Sequence, residues 1–128
     1  MKKLLLAAAF IVLAGAVQGE PLLGKWRTAK DDNGHSGMVE VKACGAALCG
    51  TLIAACDAAG KAMESPNVGR QIIWDTKPAG GGEYRGMVHS PDRNADYKSR
   101  LVLSGDRLSV SGCRIGICRE GGVWSRSK

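Results

Sequence analysis

The sequence predicts an all-β domain, a small antiparallel barrel of eight strands, and three observations support this prediction. Short apolar stretches recur about every ten residues along most of the chain, as they do in barrels and sandwiches. Helical periodicity is almost absent between them. Few of these stretches carry proline or the paired charges that protect the edges of an open sheet, so closure into a barrel is favoured. Such a barrel encloses its own side chains or one small ligand.

The predicted strands either alternate apolar and polar residues or form short apolar runs between turn sequences. In chain order they are Gly24–Thr28, Met38–Lys42, Leu48–Ala55, Gln71–Trp74, Glu83–Val88, Tyr97–Leu103, Leu108–Gly112 and Gly122–Arg126. Turn residues such as Asp31–Gly34 and Ser104–Asp106 separate neighbouring strands. The segment Asp57–Gly69 is longer and weakly patterned, and a short helical turn would fit there.

Four of the five cysteines form two pairs with the same spacing, Cys44 with Cys49 and Cys113 with Cys118. We predict two local disulfides whose main role is to fix strand register, because a short loop contributes only about 2 kcal/mol. An all-cysteine zinc site is the alternative, although zinc knuckles usually place two residues between ligands. Cys56 is left over and is expected to be a buried small apolar residue, with a reactive thiol or a dimer contact as alternatives in an otherwise monomeric protein.

The first nineteen residues have the order of a secretory signal peptide. Two lysines precede the apolar run Leu4–Leu13, and small residues follow it up to Gly19. We predict cleavage after Gly19, with Ala16 as the alternative site, which leaves residues 20–128 as one domain. The apolar run is too short for a retained membrane anchor. We therefore expect a periplasmic or secreted protein without stable membrane insertion, in a compartment that permits disulfides.

The charge of the chain argues against nucleic-acid binding. The full chain carries a formal net charge of +6, and loss of Lys2 and Lys3 with the leader leaves +4. The basic residues are scattered singly between apolar positions, and no five-residue basic run is present to grip phosphates. A solvated surface is the simplest interpretation of this charge.

The sequence contains no motif for catalysis. It lacks Gly-x-Ser-x-Gly, His-Glu-x-x-His and a phosphate-binding glycine loop. Its two histidines, His35 and His89, lie beside serines in polar segments. His89 could meet Asp92 and Asp96 at a rim and hold a metal, but an exposed loop histidine is the simpler interpretation. We therefore expect no enzyme activity, no resident metal and no cofactor.

A series of short motifs runs through the chain in a fixed order. They are Gly24-Lys-Trp26, Val39-Glu-Val41, Cys44-Gly, Leu48-Cys-Gly50, Ile72-Ile-Trp74, Ser90-Pro-Asp92, Tyr97-Lys-Ser-Arg-Leu101, Leu108-Ser-Val-Ser-Gly-Cys113, Cys118-Arg and Trp124-Ser-Arg126. The series resembles DUF2147, a bacterial family of exported domains of unknown function, over nearly the whole mature chain. The resemblance implies a lipocalin-like up-and-down barrel in which Arg126 lies across Trp26 and seals one end.

Two hypotheses for function follow. The first is a binding module that holds a small apolar or amphipathic ligand, and the second is a closed barrel that acts through its surface as an envelope interaction or structural module. Candidate ligand contacts are Trp74, Tyr84, Met87, Tyr97 and Leu101. An apolar cavity of at least about 300 Å³ would favour the first hypothesis. Its mouth would lie opposite the Trp26 seal, with Asp57–Gly69 as a candidate lid.

Overall fold

Eight antiparallel strands close into a barrel in the computed structural model, which describes residues 19–127. The described residues form nine strands, and all except β4 belong to the ring: β1 (Gly24–Arg27), β2 (Ser36–Cys44), β3 (Ala47–Cys56), β4 (Ala62–Met63), β5 (Gln71–Gly80), β6 (Glu83–Ser90), β7 (Ala95–Ser104), β8 (Arg107–Arg114) and β9 (Ile117–Arg126). Their order is β2-β1-β9-β8-β7-β6-β5-β3, and pairing of β2 with β3 closes the ring. The short strand β4 is added at the end of β3. The predicted eight-stranded barrel is thereby confirmed.

The predicted signal peptide lies outside the described residues, apart from its last residue, Gly19. Residues 19–127 contain no helix of sufficient length and apolar character to span a lipid bilayer.

The segment Asp57–Gly69 forms turns and the strand β4, and the short helical turn that would fit there does not form. The Asp57 carboxylate accepts hydrogen bonds from the backbone N–H groups of Ala59 and Lys61, both at 2.9 Å. The backbone N–H of Asp57 also donates to the Lys61 carbonyl at 2.8 Å. This local hydrogen bonding competes with helix formation and returns Ala62–Met63 to β3.

The two ends of the barrel carry different connections between strands. The end that we call closed carries the chain start at β1 and the hairpin tips between β2 and β3, β5 and β6, and β7 and β8. The other end, which we call open, carries residues 28–35, 57–70 and 91–94 and the tip between β8 and β9. Antiparallel alternation fixes this division, because successive connections lie at opposite ends.

The barrel interior is filled at the closed end and accessible toward the open end. Trp26, Leu101 and Leu108 have no exposed surface, and nor do Leu22, Val39 and Ile73. Leu52, Ile72, Val88, Val110 and Trp124 retain between 5% and 8% exposure although they belong to the same apolar cluster. The small exposed fraction of the second group arises at the wall of an internal cavity.

Two irregularities in β5 decide which of its side chains face the interior. Gly50 pairs with Ile73 and the adjacent Thr51 pairs with Gln71, so Ile72 is an extra residue in a β-bulge. Ile72 and Ile73 are consequently both buried. A second register shift follows at Asp75, which has a φ of 49°.

The backbone of β5 approaches β6 closely at the second irregularity. A Cβ on Gly86 would lie 2.7 Å from backbone atoms of Trp74, Asp75 and Thr76. Glycine is therefore required at this position, because backbone atoms cannot move aside as a flexible side chain can.

Both predicted disulfides are confirmed. Cys44 and Cys49 join β2 to β3 at the closed end with a Cα–Cα separation of 5.8 Å, and Cys113 joins Cys118 across the β8–β9 hairpin at the open end. Cys56 has a free thiol and is half-buried rather than fully buried, because it lies at the end of β3. Its Sγ is 3.8 Å from Nη1 of Arg27.

Candidate ligand-binding cavity

An internal cavity of about 790 Å³ occupies the open half of the barrel. Its apolar wall combines side chains from strands around the ring. They are Leu52 and Ala55 of β3, Met63 of β4, Ile72 of β5, Val88 of β6, Tyr97 of β7, Val110 of β8 and Trp124 of β9. The volume falls within the range of about 300–1,000 Å³ that is typical of small-molecule sites.

Several small residues belong to the cavity lining. Ala29, Gly37, Ala55, Gly112 and Gly121 all line the cavity. An eight-stranded barrel with large side chains at such positions would be filled by them. Neighbouring side chains already pack against two of these glycines, because a Cβ would lie 2.6 Å from Leu52 Cδ1 at Gly37 and 3.3 Å from Tyr97 at Gly112.

Tyr97 is held in the cavity wall by contacts on two sides. A Cβ on Gly112, on the neighbouring strand, would lie 3.3 Å from Cγ of the Tyr97 ring, so the ring packs against the glycine backbone. The guanidinium carbon of Arg114 lies 4.9 Å from the ring centroid, within the range of a cation–π contact. Tyr97 is thus a fixed aromatic surface near the mouth.

Charged side chains surround the mouth of the cavity. They are Asp31, Asp92, Arg93, Arg114, Arg119 and Glu120. The deep wall carries the buried Leu52, Ile72 and Val110 instead. This separation of an apolar interior from a charged rim suits a ligand with one apolar part and one polar part.

His89 lines the cavity and is 4% exposed, so the expectation of an exposed loop histidine is wrong. The reason is that β6 extends to Ser90, which makes His89 a strand residue directly opposite Asp96. Its Nδ1 lies 2.7 Å from Asp96 Oδ1. A carboxylate only accepts, so Nδ1 donates this hydrogen bond.

Nε2 of His89 has no hydrogen-bond partner and no contact with solvent. Leaving such a buried polar atom unpaired costs about 1–3 kcal/mol. Among residues 19–127, no three His, Cys, Asp or Glu side chains are grouped so that they could hold a metal ion.

Of the five ligand contacts predicted from the sequence, the structure places Tyr97 in the cavity wall. Trp74 and Met87 pair with each other on β5 and β6 and are half-buried away from the cavity lining. Leu101 has no exposed surface and belongs to the filled half of the core, and Tyr84 is 4% exposed near the closed end. The bulge at Ile72 explains the position of Trp74, because it turns Ile73 rather than Trp74 toward the interior.

Sequence reasoning missed Trp124 as a wall residue. Trp124 is 6% exposed and lines the cavity from β9. The alternation of side chains along the last predicted strand could have placed Trp124 inside, because neighbouring residues of a strand face opposite sides. Val123 is 38% exposed on the outside, and Trp124 faces in.

The closed end is sealed by Trp26 and Arg126, in the contact that the family resemblance implies. Trp26 Nε1 donates to the Leu22 carbonyl at 2.9 Å, and the Arg126 guanidinium carbon lies 4.3 Å from the indole centroid. Arg126 also donates to the carbonyls of Leu23 at 3.3 Å and Pro21 at 2.9 Å, and to Asp106 at 3.2 Å. The cavity mouth is therefore at the opposite end from this seal.

Tyr84 gives the closed end a pH-dependent contact. Burial raises the pKa of the Tyr84 phenol above its usual value. The hydrogen bond to Glu20 and the negative charge of Glu20 raise this pKa further. The Tyr84 phenol ionises near pH 10 in the unfolded chain but stays protonated at that pH in the folded chain. Its burial therefore stabilises the fold below about pH 10, and this stabilisation is lost as the pH rises further.

We expect the free energy of unfolding to fall more steeply between about pH 9 and 11 in the natural chain than in Tyr84→Phe. The difference between the two slopes should reach up to about 1.4 kcal/mol per pH unit. Urea denaturation at several pH values measures this difference. Parallel pH profiles for the two proteins would contradict the burial of the phenol.

Comparison with known proteins gives a family and a fold. A family model described as "Uncharacterized protein conserved in bacteria (DUF2147)" matches residues 24–126. No curated protein matches the chain. Among solved structures, protein HP1028 from Helicobacter pylori, described as belonging to the lipocalin family, matches with a TM-score of 0.64 and 16% identity. The match covers 84% of this chain and 83% of that one, and it shows a lipocalin-like fold.

Proposed function

The chain belongs to the DUF2147 family of bacterial proteins, and on that premise we propose that its barrel binds a small apolar or amphipathic molecule. The observation that carries the proposal is the cavity of about 790 Å³, well above the roughly 300 Å³ that a small ligand requires. Because the deep wall of the cavity is apolar, with Leu52, Ile72 and Val110, we favour binding over chemistry.

The distribution of apolar and polar groups along the cavity wall indicates how the ligand would be oriented. Its apolar part would occupy the space between Leu52, Val110 and Trp124, where each buried methylene contributes about 0.8 kcal/mol. Its polar part would remain at the rim, where Arg93 and Arg119 offer hydrogen-bond donors. A ligand with a short polar head and an apolar body satisfies both regions.

Tryptophan fluorescence tests the proposal directly, because the three tryptophans differ in position. Trp124 lines the cavity, Trp26 is sealed at the closed end and Trp74 lies away from the cavity lining. We expect fatty-acid probes to shift the emission saturably with a Kd in the micromolar range or below.

The matched variants are Trp124→Phe, which should remove most of the shift, and Trp74→Phe, which should retain it. Absence of saturable binding up to about 100 μM would contradict the proposal and favour a barrel that acts through its surface.

We further propose that the protein is exported and processed after Gly19. Two disulfides and the order of charged, apolar and small residues in the leader support export. Cleavage there retains Glu20, whose carboxylate accepts the hydrogen bond from Tyr84.

Intact-mass measurement of protein expressed with its own leader should give a chain that starts at Glu20. A full-length product found in the cytoplasm would contradict export.

A further inference from the structure

The tip of the β8–β9 hairpin, Arg114–Ile117, projects two large apolar side chains into solvent. Ile115 is 94% exposed and Ile117 is 66% exposed. These are the highest values among the exposed large apolar residues of the described chain, which otherwise range from 38% to 43%. Both isoleucines also line the cavity mouth.

Hairpin geometry does not account for an isoleucine at this position. Ile115 has a φ of 52° and Gly116 a φ of 76°, so two successive residues are left-handed, as in the turns that favour Asn-Gly. A β-branched residue is rare in this conformation. The three hairpin tips at the closed end carry Gly45-Ala46, Gly81-Gly82 and Gly105-Asp106 instead.

Positive charge flanks the two isoleucines. Arg114 precedes Ile115, and Arg119 follows Ile117 by two residues. Arg93 lies on the same rim, in the loop between β6 and β7. The rim also contains the acidic residues Asp31, Asp92 and Glu120, and Glu120 accepts a hydrogen bond from Ser109 Oγ.

A disulfide closes the hairpin just below this tip. Cys113 and Cys118 bridge the two strands immediately below the turn. The exposed isoleucines are therefore presented on a constrained hairpin, which lowers the entropy lost when they contact a partner.

We propose that the β8–β9 tip docks the open end of the barrel onto an anionic lipid membrane surface. Ile115 and Ile117 enter the boundary between headgroups and acyl chains, and Arg114 and Arg119 pair with lipid phosphates. The tip lies on the cavity mouth, so docking lets an amphipathic ligand pass between bilayer and barrel without crossing water. Only this ligand route rests on the proposed function, and the docking itself does not.

The test is co-sedimentation of the full mature chain with vesicles of phosphatidylglycerol and phosphatidylcholine, compared with vesicles of phosphatidylcholine alone. The test variant is Ile115→Asn with Ile117→Thr, because Asn tolerates the left-handed backbone and Thr keeps the β-branched side chain. The control variant is Val123→Thr, which removes an exposed apolar residue elsewhere on β9.

We expect the natural chain and Val123→Thr to bind anionic vesicles, and the double variant to bind at least about tenfold more weakly. Arg119→Gln and added salt should each weaken binding, and neutral vesicles should bind less protein.

Absence of sedimentation with any vesicle, or equal binding by the double variant, would overturn the proposal. A concentration-dependent dimer that the double variant abolishes would assign the tip to a second copy of the chain instead. Val110→Trp, which fills the cavity, should still bind vesicles. Failure of ligand binding and failure of docking can therefore be told apart.

Discussion

Val110→Trp should reduce the affinity for an apolar probe by at least about 100-fold while leaving the barrel folded. Val110 is an inward residue of β8 with 6% exposure at the cavity wall. An indole at this position would occupy the space that the apolar part of a ligand requires. In a tightly packed interior the same change would cost about 1–3 kcal/mol through strain, but here an empty volume receives the ring.

The matched control is Val123→Trp, which adds the same bulk to the outside of β9. Val123 is 38% exposed and does not line the cavity. Titration with a fluorescent fatty acid should give natural affinity for this variant and greatly weakened affinity for Val110→Trp. Equal affinity for the two variants would mean that the probe binds elsewhere on the protein.

Trp26→Ala should lower the free energy of unfolding by about 3–5 kcal/mol, the cost typical of removing a buried aromatic side chain. Trp26 has no exposed surface, and its indole holds two contacts. Its Nε1 donates to Leu22, and its face supports the guanidinium of Arg126. The substitution leaves a cavity at the closed end and exposes Arg126 to the interior.

Urea denaturation followed by circular dichroism measures this loss, with Trp74→Ala as the control. Trp74 is half-buried outside the barrel interior, so we expect its loss to cost about 1 kcal/mol. Arg126→Lys tests the seal if Trp26→Ala does not fold. It should cost about 1–2 kcal/mol, because Lys cannot reproduce the planar contact and its several hydrogen bonds. Equal losses for Trp26→Ala and Trp74→Ala would contradict a structural seal.

Much of the fold was predictable because local patterns and global architecture agree in this chain. Tyr97, Ser99, Leu101 and Leu103 lie at alternate positions of the predicted strand Tyr97–Leu103. The structure buries Ser99 and Leu101 and packs Tyr97 and Leu103 against the core. The disulfides were predictable from equal spacing in two short hairpins.

The cavity wall was less predictable because it depends on register. The bulge at Ile72 interrupts the alternation along β5. The four residues of the predicted strand Gln71–Trp74 give no sign that one of them is an extra residue without a partner. Trp74 was therefore assigned to the interior, whereas Ile73 occupies that position. His89 was assigned to a loop because it lies beside a serine in a polar segment, yet β6 continues to Ser90.

The existence of the cavity could not be predicted from composition. A small inward residue leaves space only if neighbouring large residues do not fold into it. At Gly37 a Cβ would lie 2.6 Å from Leu52 Cδ1, and at Gly50 a Cβ would lie 2.8 Å from Val39 and 2.9 Å from Ile73. Glycine at an inward position therefore does not by itself indicate open space in this barrel.

Native mass spectrometry of the protein recovered from its bacterial envelope tests ligand binding most directly. We expect a population heavier than the mature chain by the mass of one small molecule, about a few hundred daltons, as the cavity volume allows. The added mass should disappear on denaturation and be absent from Val110→Trp, while Val123→Trp retains it. A natural chain found only at its own mass, which also takes up nothing from a lipid extract, would contradict a ligand-binding barrel.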